Sequence, residues 1–178
     1  MDIINEIYQQ VERENLWDRS ITVRRNEYLN TAGTIDTNLY YIVAGSMKVF
    51  ILDESEEHIV RFGYKNNFIT ALDSFITGKP TDFYIQALKR TELKVISKHN
   101  YVNLMNSNSH LKELWSIVQQ QLIVQQLERE KDILISSPIQ RYNRVLQRSP
   151  QLFQEVPNKY IASYLRMAPE TLSRLKKS

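Results

Sequence analysis

Residues 158–177 read NKYIASYLRMAPETLSRLKK. The stretch fits two short helices around a tight turn. Pro157 opens the first and Pro169 the second, because proline presets φ for the first helical turn. The second helix carries Glu170-Thr171-Leu172-Ser173-Arg174, with a carboxylate and a guanidinium four residues apart on one face. A carboxylate can accept from a cytosine amino group and a guanidinium can grip a guanine edge. That spacing suits a helix lying in a DNA major groove.

The charge distribution points the same way. Residues 1–137 carry 15 Lys and Arg against 18 Asp and Glu, a net of −3. Residues 138–178 carry 8 against 2, a net of +6. An acidic body with a basic tail suits nucleic-acid binding through the tail, because phosphate neutralisation supplies most non-specific affinity. The chain has 178 residues and no cysteine, which excludes disulfides, thiolate catalysis, Cys-ligated zinc and iron–sulfur clusters. No apolar run approaches the roughly 18 residues of a membrane span, and the polar N-terminus is unlike a signal peptide, so a cytoplasmic location is expected.

Upstream of the tail the periodicity changes twice. Ile3, Ile4, Ile7, Tyr8 and Val11 have helical spacing. From Ile21 to Ile96, short alternating runs are broken by turn signals, as in antiparallel β structure. Tyr40-Tyr41-Ile42-Val43 reads as a strand and Ala44-Gly45 as a tight turn. Met47, Val49 and Ile51 then form one face of a returning strand, and residues 53–57 a polar hairpin tip. At least six strands with frequent turns indicate a small barrel or jelly roll. A helix then runs from about Asn108 to Ile135. Leu111, Trp115, Val118 and Leu122 make one apolar stripe, and Leu114, Ile117 and Val124 a second. Two stripes imply two covered surfaces: the helix's own roll and the same helix of a second subunit. Leu111, Trp115, Val118 and Leu122 are the expected dimer contacts. Ser137 can cap the next helix, Pro138 to Arg148.

Two segments then resemble the Crp/Fnr family of bacterial transcription regulators. One is Ala32-Gly33 with Leu39-Tyr40-Tyr41-Ile42-Val43-Ala44-Gly45-Ser46, similar to the family's Leu-Tyr-x-Ile-x-x-Gly hairpin. The other is Ile161-Ala162-x-x-Leu165 leading to Pro169-Glu170-Thr171-Leu172-Ser173-Arg174, similar to its helix-turn-helix. The resemblance implies an α+β chain. Residues 1–107 would be a cyclic-nucleotide-binding-like β-roll sensor, 108–136 a dimerisation helix, and 137–178 a helix-turn-helix domain. It implies base contacts by Glu170 and Arg174, and DNA-backbone contacts by Asn158, Lys159 and Thr171, to which Lys176 and Lys177 add charge. Its implied partners are a near-palindromic double-stranded DNA site, a second copy of the chain, and RNA polymerase.

There are departures from the family pattern. Pro169 stands where an arginine is usual, Arg166 where the turn glycine is usual, and Ala168 where a capping serine is common. Thr70 and Ala71 fall where the family's ribose-binding Gly-Glu should be. Thr81 and Asp82 fall where its phosphate-binding Arg-Ser should be. The resemblance therefore implies no ordinary binding of cyclic AMP or cyclic GMP. A pocket formed by Thr70, Ala71, Leu72, Ser74, Thr81, Asp82 and Tyr84, closed by Gln125, would suit a polar uncharged or cationic ligand of unknown identity; the alternative is a filled, solvated loop that binds nothing. No cofactor is expected. His58, His99 and His110 lack ligand spacing, so no metal is expected either. An enzyme is not expected: there is no nucleophile–base pair, and the glycines at 33, 45, 63 and 78 form no phosphate loop. The alternative is a ligand-sensing or protein-interaction module that has lost sequence-specific DNA binding.

Overall fold

Residues 19–96 form two four-stranded antiparallel sheets packed face to face. The computed structural model describes residues 3–177. The strands are β1 (Arg19–Val23), β2 (Tyr28–Asn30), β3 (Leu39–Ala44), β4 (Ser46–Asp53), β5 (Glu56–Tyr64), β6 (Phe68–Ile69), β7 (Tyr84–Ala87) and β8 (Thr91–Ile96). One sheet has the order β1-β8-β3-β6 and the other β2-β7-β4-β5. Ile42, Met47, Val49, Ile69, Ile85, Leu93 and Val95 fill the space between them.

The Ala44-Gly45 turn is not the hairpin expected from the sequence. β3 pairs with β6 and β8, and β4 with β5 and β7, so Gly45 carries the chain from one sheet to the other. Its φ of 97° lies in the left-handed region, and a Cβ there would meet the Arg90 carbonyl oxygen at 2.5 Å. Both facts require glycine. The β4–β5 hairpin turns at Glu54 and Ser55, with φ of 47° and 76°. This is the positive-φ pair that matches strand twist in two-residue loops.

The helices are α1 (Ile3–Arg13), α2 (Leu72–Thr77), α3 (Lys98–Ser107), α4 (Ser109–Leu134), α5 (Pro138–Arg148), α6 (Leu152–Glu155), α7 (Asn158–Tyr164) and α8 (Pro169–Leu175). The Asn108 side chain accepts from the Leu111 N–H and starts α4, and the Ser137 side chain accepts from the Gln140 N–H and starts α5. α3 had no clear period in the sequence. Its Ser97 cap and its buried Leu104 and Met105 place it beneath α1 and α4.

Leu111, with Trp115 and Val118 beside it, packs with Ile7, Val11, Leu39 and Leu104 inside one subunit. This corrects the expected dimer stripe: Leu111, Trp115 and Val118 face their own roll, and Leu122 lines a cavity next to it. The outward stripe is different. Val124, Leu127 and Leu134 are 57, 51 and 83 % exposed, and with Ile117 they follow a seven-residue repeat along α4.

Candidate nucleic-acid interface and sensor cavity

β4 is buried on both faces over its first five residues, Ser46 to Phe50. The inward face is the roll interior; the outward face is covered by the C-terminal helices. Phe50, Ile59, Phe62 and Leu88 of the roll share one apolar cluster with Tyr142, Val145, Ile161, Leu165 and Leu172. Lys48 lies in this contact, 2 % exposed. It is paired with Glu57 and sits 4.9 Å from the centre of the Tyr160 ring. Such a cation stays buried because it is paired and lies on aromatic faces.

α7, the turn and α8 form the helix-turn-helix. The turn closes as a Schellman motif: the Met167 N–H donates to the Ala162 carbonyl and the Arg166 N–H to the Ser163 carbonyl, both at 3.0 Å. Arg166 takes the glycine position with φ of 51°. Arg141 of α5 braces it. Its Nε donates to the Leu165 carbonyl at 2.7 Å and its Nη2 to the Arg166 carbonyl at 2.9 Å. Its Nη1 reaches the Ile135 and Ser136 carbonyls at 2.6 and 2.8 Å, tying the end of α4 to the same turn. Sequence reasoning missed Arg141, because main-chain carbonyl partners leave no side-chain pattern.

Leu172, 1 % exposed, anchors α8 in the shared cluster. On a helix, Glu170 and Arg174 project to the opposite side, and both are exposed. Lys159 and Lys177 are exposed and Thr171 is half-buried. The Lys176 ammonium donates to the Asn158 side chain at 2.8 Å, so these two residues form one polar bridge between α7 and α8. Ala168 gives α8 no side-chain cap.

The expected sensor residues divide into two groups. Thr70, Leu72 and Gln125 line a cavity of about 680 Å³ between α4 and the β5–β6–α2 side of the roll; Ala71, Ser74, Thr81, Asp82 and Tyr84 do not. Tyr84 lies on the other sheet, stacked on Phe50 with ring centres 5.3 Å apart. Asp73, which sequence reasoning passed over, binds the other polar groups. Its carboxylate accepts from Thr81 Oγ1 at 2.6 Å, from the Asp82 N–H at 3.0 Å and from the Ser74 N–H at 2.8 Å. Burial pushes the Asp73 carboxyl up, but the hydrogen bonds from Thr81, Asp82 and Ser74 outweigh it and hold it below its ordinary value. Ser74 Oγ accepts from the Asp36 N–H at 3.0 Å, which completes a closed network.

The cavity's charge also differs from that of a pocket suited to a polar uncharged or cationic ligand. Arg61, Arg129 and Arg148 line it, with Glu130 as the one carboxylate among the described residues. A β-bulge explains Arg61. Val49 pairs with Arg61 and Phe50 with Ile59, so Val60 is an extra residue on β5 and the strand is re-aimed there. Val60 and Arg61, although consecutive, both line the cavity. Arg129 is buried, its Nη2 donates to the Ile59 carbonyl at 3.3 Å, and its guanidinium carbon lies 3.7 Å from the centre of the Tyr164 ring. Arg148 and Arg144 both bind Asp132, which is wholly buried, and so lock α5 against the last turns of α4.

Comparisons with known proteins agree with this architecture. No curated protein gives a significant sequence match. The cyclic nucleotide-binding domain family matches residues 20–108, half of the chain. Among solved structures, a variant of CooA from Carboxydothermus hydrogenoformans superposes with a TM-score of 0.71 at 16 % identity, covering 89 % of this chain and 74 % of that one. The c-di-GMP-responsive global regulator CLP of Xanthomonas campestris gives 0.70 at 13 %, covering 96 % and 90 %. FixK2 from Bradyrhizobium japonicum gives 0.71 at 13 %, covering 89 % and 82 %. At these identities the superpositions speak for the fold. With the family match over half of the chain, the chain belongs to the cyclic nucleotide-binding domain family, and its fold is that of CooA, CLP and FixK2.

Proposed function

We propose that the chain is a homodimeric, sequence-specific DNA-binding transcription regulator that does not respond to cyclic nucleotides. The observation that carries this reading is α8 itself. Leu172 is sunk in the core, and Glu170 and Arg174 stand one turn apart on the opposite, exposed side. Two such helices related by a two-fold axis enter successive major grooves of a near-palindromic site, with half-sites about 34 Å apart. The two-fold runs along α4, whose Ile117, Val124, Leu127 and Leu134 supply the apolar seam. The usual phosphate-binding corner is filled by the chain's own Asp73 carboxylate, which leaves a cyclic nucleotide phosphate facing like charge.

The test is an electrophoretic mobility shift with a sequence selected from a random library. Arg174→Ala costs about 1–3 kcal/mol of binding and relaxes the base preference at one position of each half-site, whereas Lys177→Ala weakens binding to all sequences alike. Binding with no salt dependence and no sequence preference counts against the proposal.

A further inference from the structure

The cavity carries a charge that its own residues do not settle. Arg61 lines it from β5, where its main chain pairs with Val49, and among the described residues its guanidinium makes no hydrogen bond or ion pair. Burial pushes its pKa down, as expected for a guanidinium taken out of water without a counter-ion. Arg129 lines the same cavity from α4, and burial pushes its pKa down too. Among the described residues its side-chain hydrogen bond goes to a neutral carbonyl, and Asp132, which is bound by Arg144 and Arg148, acts on it only through space. Arg148 is committed to Asp132, and Glu130 is exposed to solvent. The cavity thus holds two cations, Arg61 and Arg129, neither of them ion-paired with a carboxylate among the described residues. The rest of the wall is aromatic and aliphatic, with Phe68, Phe75, Trp115 and Leu122 among its residues. A volume of about 680 Å³ is in the range of small-molecule sites.

We infer that this cavity binds an organic anion with an apolar body, its acid group held by Arg61 and Arg129 and its body by the aromatic wall. The inference rests on reading the chain as an effector-controlled regulator, and it supplies the ligand class for that effector. The acid group would be placed by guanidinium groups on β5 and α4, away from the network that Asp73 makes with Ser74, Thr81 and Asp82. A planar guanidinium suits a carboxylate or phosphate through paired N–H donors. The site also has a route to the DNA-facing helices. Arg129 lies on Tyr164, the last residue of α7, and α7 leads directly into the turn before α8. An anion that draws Arg129 toward Arg61 changes the support under α7.

The experiment uses the full chain and two fluorescent probes of one shape: 1-anilinonaphthalene-8-sulfonate, an aromatic anion, and the uncharged N-phenyl-1-naphthylamine. Arg61→Gln weakens the sulfonate about tenfold, since a charge-assisted bond is lost. It leaves the uncharged probe within about twofold, and Arg61→Lys and the exposed control Lys65→Gln keep most of the sulfonate affinity. Displacement of the sulfonate by dodecanoate, dodecyl phosphate and dodecanol then separates carboxylate from phosphate preference. Either anion outcompeting the alcohol supports the inference. Equal losses of both probes in Arg61→Gln, no loss of either, or an alcohol that displaces as well as both anions overturns it. None of these readouts involves DNA. Failed operator binding would therefore count only against the regulator reading, and probe binding indifferent to Arg61 only against the anion site.

Discussion

Single residues decide whether the helix-turn-helix can close without its usual glycine. Arg166 holds φ at 51°, a region costing a non-glycine residue about 1 kcal/mol, and Arg141 offsets that by binding four carbonyls around the turn. Arg141→Met keeps most of the volume but leaves the buried Leu165 carbonyl and three part-buried ones without their donor. It lowers stability by about 2–4 kcal/mol in urea unfolding. Arg166→Gly moves it the other way, by roughly 0.5–1 kcal/mol. The strain at Arg166 was legible in the sequence, because a glycine position was filled by a residue with a Cβ. Its remedy was not, because Arg141 lies 24 residues upstream of Leu165 and binds only main chain. Asp73 makes the same point with a pH signature. Its folded pKa is depressed, so its contribution to stability is fully present above the unfolded value of about 3.9 and is lost as pH falls through the folded value. Asp73→Asn removes about 1 kcal/mol near neutral pH, discounted for partial exposure. It also flattens the fall in urea midpoint between about pH 5 and pH 3. A variant with the unaltered acid slope would show that the carboxylate is not held by Thr81, Asp82 and Ser74.

At the level of elements, α4 holds the clearest lesson about what a sequence can specify. Two apolar stripes were visible, and so was the need to cover two surfaces. Which stripe covers which surface was not visible, because leucine, valine and isoleucine at helical spacing pack equally well on a roll or on a second helix. The neighbours decide it. α1 and α3 close over Leu111 and Leu114, which are 0 and 5 % exposed, while Val124 and Leu134 face outward and Leu127, half exposed, stands at the rim of the cavity. Their seven-residue repeat, with Gln120 and Lys131 completing the seam, is the geometry of a short two-stranded coiled coil. Leu127→Glu places a carboxylate in that seam, where burial without a partner costs several kcal/mol. In sedimentation velocity it converts a dimer to a folded monomer with unchanged far-ultraviolet circular dichroism. Leu111→Glu, by contrast, puts the charge in the subunit core and unfolds the chain. A dimer that survives Leu127→Glu would place the interface elsewhere on the molecule.

On the scale of the whole molecule, the roll, the long helix and the C-terminal helices follow one another in the sequence, but the physical core does not respect that division. Phe50, Ile59, Phe62 and Leu88 come from the roll. Val145, Ile161, Leu165 and Leu172 come from the C-terminal helices, and all eight belong to one buried cluster. The sequence showed only one apolar face of β4, Met47, Val49 and Ile51; burial of the other face, Lys48 and Phe50, was not legible, and the Glu57 and Tyr160 contacts explain why a lysine is there. Shared burial makes the two units unfold together, because neither can expose its half of the interface without leaving the other half in water. The salt bridges of α4 to α5 add to the coupling, with Asp132 buried between Arg144 and Arg148. Differential scanning calorimetry should therefore give one transition, with the calorimetric and van't Hoff enthalpies equal within error. Phe62→Ala tests the contact itself, since Phe62 also lies 5.4 Å from the Tyr164 ring. The loss of a buried aromatic costs about 3–5 kcal/mol. It lowers the midpoint seen by a tryptophan signal, from Trp17 and Trp115 on the roll side, together with that seen by hydrogen exchange in α7. Two separated transitions, with α7 losing protection while the tryptophan signal stays at its original midpoint, would mean that the C-terminal helices are a free module, and that a ligand in the cavity has no packed route to α8.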